Sequence, residues 1–216
     1  MQIRSFIVAY SLVLVILLFA DRRPGAPQQD RYSHVVDLTE GQDATGSHAA
    51  PPDSKTRIIA PGALIPGTWN AGQIPAERLI APLVVMDLKI GSSSNEQISL
   101  DDISAWETVH GMIPQGAVVA VRRANIPSLN TSFPIARDAA MFLIDGRSAI
   151  GFALDAPADL TVDRTLARQL ALHGSYVVED AAHFASLPVT GSLVIVAPVK
   201  SKASGEAPVR ILAMVR

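Results

Sequence analysis

Leu83 to Leu88 is a near-continuous apolar run, broken only by Asp87. A strand with no wet face must be covered on both sides, so this segment predicts a sheet sandwiched between other layers. Ala117 to Val121 repeats the pattern, and Ala149 to Leu154 reads as a further strand ending at Asp155. Ser192 to Ala197 and Val209 to Val215 are also apolar and rich in β-branched residues. Arg210 interrupts the last of these and gives it one solvent-facing side. Val35 to Leu38 is a short strand near the start. Between the strands lie helices with their own punctuation. Ser99-Leu100-Asp101-Asp102 forms a capping box that opens a helix to about His110, with Ile103, Trp106 and His110 along one side. Gly111 stops it. Ile135 to Ile144 follows Pro134, reads as a helix and ends at Gly146. Asp163 can cap a helix running to about Leu172, closed by Gly174. Strands alternating with helices predict an α/β domain with a mixed sheet.

At 216 residues and 49% hydrophobic, the chain holds enough apolar material for one ordinary domain with a substantial core. A formal net charge of −2 and no basic run exclude nucleic acid as a partner. The absence of cysteine excludes disulfides and thiol chemistry. Residues 1–20 read as a signal peptide or membrane anchor: Arg4 precedes an apolar run from Phe6 to Ala20 that only Tyr10 and Ser11 interrupt. Leu18 is a poor residue for the position three before a cleavage after Ala20, so an uncleaved tether to the inner membrane stays open. The expected location is the periplasm, or another exported compartment. Residues 21–31 are polar with Pro and Gly and read as a linker, leaving 32–216 for the domain.

The stretch that speaks to function is Thr56 to Leu79. With the Ala81 to Leu88 segment behind it, it resembles the cyclase family of metal-dependent hydrolases, which includes bacterial kynurenine formamidase and isatin hydrolase. The family pattern H-T-G-T-H-x-D-A-P-x-H-F fits at Ala60-Pro61, and Ile74-Pro75-Ala76-Glu77-Arg78-Leu79 fits the segment that follows, with no gap between them. Val35-Val36-Asp37-Leu38-Thr39 resembles the opening of secreted members. The resemblance implies a swivelling β/β/α type of fold. It also implies a zinc or manganese centre that hydrolyses a C–N bond, as in kynurenine formation during tryptophan catabolism, and an oligomer with the site near a subunit contact.

The ligand positions depart from that pattern. The first His falls on Asp53, the second on Arg57, the Asp on Ile59 and the last His on Ala63. Family members carry a further His twelve residues before a Glu; here these positions are Ala167 and Glu179. Glu179 is the one retained ligand. A shifted match at Thr45-Gly46-Ser47-His48 restores only His48 and leaves Ala50 and Ser54 at ligand positions. A hydrolytic metal needs about three protein donors and an open site for water. Ile and Ala offer none, and Arg57 is a fixed cation. Facing a divalent ion at about 4 Å and an effective dielectric near 20, its repulsion reaches roughly 8 kcal/mol as an upper bound. Asp53, Asp155 and Glu179 supply at most a weak oxygen site. The expected chain is therefore a non-catalytic member without a cofactor, a homo-oligomer or the partner of an active relative. The alternative is an active arylformamidase-type enzyme using zinc or manganese. A third reading has Arg57 grasping a carboxylate where the metal stood.

Other chemistry is sparse. His34, His48, His110, His173 and His183 show no ligand-pair spacing. His183 would share a face with Glu179 if that segment were helical. No G-x-S-x-G elbow and no phosphate-binding glycine pattern occurs.

Overall fold

The computed structural model describes residues 32–41, 55–88, 97–123, 132–200 and 204–216. Residues 32–216 form one compact unit. The signal or anchor segment, Asp53 and His48 lie outside the described residues. Among those described, no helix is long and apolar enough to cross a membrane.

The strands are β1 (His34–Asp37), β2 (Arg57–Ile59), β3 (Ile80–Asp87), β4 (Val118–Arg122), β5 (Gly151–Leu154), β6 (Tyr176–Glu179), β7 (Ser192–Pro198) and β8 (Glu206–Val215). The helices are α1 (Pro61–Leu64), α2 (Leu100–His110), α3 (Arg137–Arg147) and α4 (Arg164–Leu172). The sheet runs β1-β8-β2-β6-β5-β4-β3-β7, and β7 also pairs with β8. That pairing closes seven strands into a barrel, with β1 paired to β8. Strands β3 to β6 are mutually parallel. β2 runs antiparallel to β6 and β8, and β7 runs antiparallel to β3 and β8. The fold is α/β with a mixed sheet, as the alternation of segments implies.

The two-sided strands have a clear cause. In β3, Leu83 and Val85 face the barrel interior with Ala120, Val178, Val196 and Ile211. Val84 and Met86 face outward, under a layer of helices that contributes Ile103, Leu143 and Leu170. β8 alternates instead: Ala207, Val209, Ile211, Ala213 and Val215 point inward, while Arg210 is exposed.

The helix ends match the sequence. Ser99 accepts from the Asp102 amide, and the Asp102 carboxylate accepts from the Ser99 amide. Asp163 accepts from the Thr165 and Leu166 amides. Two boundaries shift. The helix expected from Ile135 begins at Arg137, because Ile135 is taken by a bridge to Ile98. It ends in Ser148 with a left-handed backbone (φ 52°) rather than at Gly146. Segment 179–183 is not helical: Asp180 and His183 both have left-handed backbones. His183 therefore does not share a helical face with Glu179.

Candidate functional site

The carboxyl ends of β3 to β6 come together at one rim of the barrel, the end of a parallel sheet where ligands of α/β proteins gather. Four charged groups mark it. Asp87, ending β3, forms a two-pronged pair with Arg122, ending β4 (Nη2 to Oδ2, 2.9 Å). Arg122 also donates to the Phe184 carbonyl at 3.2 Å. After β5, Asp155 accepts the Arg123 amide at 2.7 Å. Burial pushes the Asp155 carboxyl above its ordinary range, against the opposing pull of that amide and of the Arg123 and Arg122 charges.

Glu179 closes β6. Its Oε1 accepts the Ala158 amide at 2.8 Å. Burial raises its pKa, Asp180 and Glu206 raise it further, and the Ala158 amide and Arg57 act against them. The entry to β2 is fastened beside it: Thr56 Oγ1 donates to the Asp180 carbonyl at 2.6 Å and accepts the Glu40 amide at 2.7 Å. This anchoring fixes the register of a three-residue strand too short to hold itself. In that register Arg57 stands directly opposite Glu179. Directly opposed residues of an antiparallel pair share a face and place their side chains side by side. From the other neighbour, β8, Glu206 reaches Arg57 (Nη2 to Oε2, 3.7 Å).

The sequence-derived site residues thus fall into separate places. Arg57 and Glu179 are brought together. Ile59 lies two residues along β2 on the same face, half-buried against the outer apolar cluster. Ala63 is exposed on α1, and Ala167 is buried on α4 in that cluster. Asp155 does not join Glu179; it turns to Arg122 and Arg123. Asp53 is not described. Glu206 escaped sequence reasoning: it stands opposite Ile59 in the β2–β8 register, and only the folded ion pair shows that it reaches across to Arg57. Two of the histidines have local partners. The His110 ring lies 5.0 Å from that of Trp106, and His173 Nδ1 lies 3.7 Å from Asp145.

The described members of this donor set do not by themselves fit a catalytic metal. Among the described residues, no three His, Asp or Glu side chains converge to hold an ion. Of the implied ligand positions described, only Glu179 carries an electron-pair donor, and Arg57 stands opposite it in the strand register.

Several solved structures with this fold carry hydrolase names. Isatin hydrolase A from Labrenzia aggregata, with benzyl benzoate bound, is 26% identical over 84% of this chain and 93% of its own, with a TM-score of 0.66. Isatin hydrolase A from Ralstonia solanacearum is 21% identical over 85% and 92%, with a TM-score of 0.64. A potential metal-dependent hydrolase with cyclase activity is 23% identical over 85% and 98%, with a TM-score of 0.62. A search of curated proteins finds no match. The family model described as putative cyclase matches residues 23–159, more than half of the chain. The protein belongs to the cyclase family.

Proposed function

We propose that this protein is an exported, divergent cyclase-family member without metal-dependent hydrolase activity, serving as a binding or structural partner. The observation that carries the reading is Arg57 in register with Glu179, a fixed positive charge beside the retained ligand. The substitutions at Ile59, Ala63 and Ala167 support it, since none can donate an electron pair. Export is supported by the apolar segment from Phe6 to Ala20. A homo-oligomer, or pairing with an active relative, accords with a preserved fold around a dismantled site.

The second reading is an active arylformamidase-type hydrolase using zinc or manganese. The 26% identity to a solved isatin hydrolase favours it. Metal content and turnover separate the two. The protein is purified without chelator, its zinc and manganese are measured by mass spectrometry, and it is assayed on N-formylkynurenine and isatin. The expected result is far less than one metal per chain and no turnover above buffer. Near-stoichiometric metal that supports hydrolysis establishes the second reading.

A further inference from the structure

We infer that the Arg57 guanidinium stands in for the lost metal, as the built-in counter-ion of Glu179 and Glu206, and keeps divalent cations out of the site. The inference rests on the non-catalytic reading above and adds a specific agent to it. Three strands supply the geometry. β6 contributes Glu179, β2 contributes Arg57 directly opposite, and β8 contributes Glu206 at 3.7 Å from the guanidinium. Asp180 follows Glu179 and adds a third negative charge that acts on it.

The other cations of this rim are engaged elsewhere. Lys55 pairs with Glu40 at 3.2 Å, Arg122 with Asp87, and Arg123 lies 4.0 Å from Asp155. Among the described residues, Arg57 is the cation whose charge acts on Glu179. Without it, Glu179 and Glu206, on the two strands that flank β2, would lose the guanidinium that acts on both. Two carboxylates without a cation between them offer a hard divalent ion a weak, open site. Arg57 and Glu206 are about half exposed (45% and 53%), so the position is reachable from solvent. The same exposure separates this role from an ordinary stabilising ion pair. An exposed pair contributes little to folding, so removing Arg57 should change cation uptake far more than stability.

The probe is Mn²⁺, followed by its electron paramagnetic resonance signal and by thermal shift. The proteins compared are wild type, Arg57→Gln, Arg57→Lys and the double variant Arg57→Gln/Glu179→Gln. Arg57→Gln should bind Mn²⁺ with a Kd on the order of 10⁻⁴–10⁻³ M, the range of weak carboxylate sites. Wild type and Arg57→Lys should bind at least about tenfold more weakly, and the double variant should lose the gain. Arg57→Thr, which keeps a good strand former in β2, carries the same expectation and covers the case in which Arg57→Gln does not fold. Equal Mn²⁺ affinity in wild type and both neutral variants overturns the inference, as does a gain that survives Glu179→Gln. Either result leaves the metal-content and turnover test of wild type untouched, so the two readings fail separately.

Discussion

At the residue scale the clearest energetic statement concerns Glu107 and Arg147. Both side chains are largely buried, and the guanidinium meets the carboxylate through two bonds of 2.7 and 2.8 Å. The Ile113 amide donates to the same carboxylate at 3.0 Å. The Arg147 hydrogen bond is the main cause that holds the Glu107 carboxyl below its ordinary range. A lowered folded-state value means that this stabilisation is complete above the unfolded pKa, near 4.3, and is lost as pH falls through the folded value. Glu107→Gln should cost about 2 kcal/mol at pH 7, because it removes the charge from paired, desolvated hydrogen bonds. The gap between wild type and variant in urea midpoint should close below about pH 4. A gap of constant size across that range would show that the charge contributes nothing. Gly151 answers to sterics instead. A Cβ there would lie 2.5 Å from the Tyr176 ring. That ring is fully buried, and its hydroxyl donates to the Arg78 carbonyl at 3.0 Å, so it has no free direction in which to yield. Gly151→Ala should cost about 1–3 kcal/mol by overpacking, and an unchanged melting temperature would mean that the ring can move.

At the element scale, legibility followed how local each signal is. α2 and α4 were readable because their ends are written in side chains that bind nearby amides, Ser99 and Asp102 in one case and Asp163 in the other. Ser99→Ala should cost about 1 kcal/mol. Asp163→Ala should cost somewhat more, because Asp163 accepts two amides and also pairs with Arg137 at 2.7 Å. Helix content by circular dichroism and the thermal midpoint check both; loss of helix without loss of midpoint would place these caps outside the cooperative unit. β3 and β4 were readable from unbroken apolar runs. β2 was not. Arg57-Ile58-Ile59 is too short for a period to show, and what holds it is Thr56 and its two ladders, which are contacts distant in sequence. β6 is hidden for a related reason: Tyr176 to Glu179 is four residues long, too short for a period to show. The proximity of Arg57 to Glu179 was implied by the family pattern. The presence of Glu206 beside them was not, since no local rule links residues 57 and 206.

At the scale of the whole molecule, closure of the sheet is the property that no segment announces. Alternation along the chain predicts a mixed sheet, and an open sheet and a barrel would satisfy it equally. The difference lies in β8, which pairs along its length with β1, β2 and β7. Closure removes the exposed edges that an open sheet would leave on β7 and β8. It also explains why the interior needs only one face of β8 to be apolar, while β3 to β6 need two. The β-branched run from Val209 to Val215 thus carries more of the fold than its length suggests, because Val209, Ile211 and Ala213 complete the interior cluster reached by Val85, Val178 and Val196. Deleting residues 204–216 should therefore abolish cooperative folding instead of trimming an edge. The expected readout is a non-sigmoidal urea transition and collapse of the near-ultraviolet circular dichroism of Tyr176 and Trp106. A finer change acts at the same seam. Ile211→Ala leaves every backbone pairing in place and removes a fully buried side chain, so it should cost about 2–5 kcal/mol while keeping a single sharp transition. If the deletion still unfolds cooperatively, the helices and the parallel strands hold a core of their own, and β7–β8 closure is an addition to the fold rather than its condition.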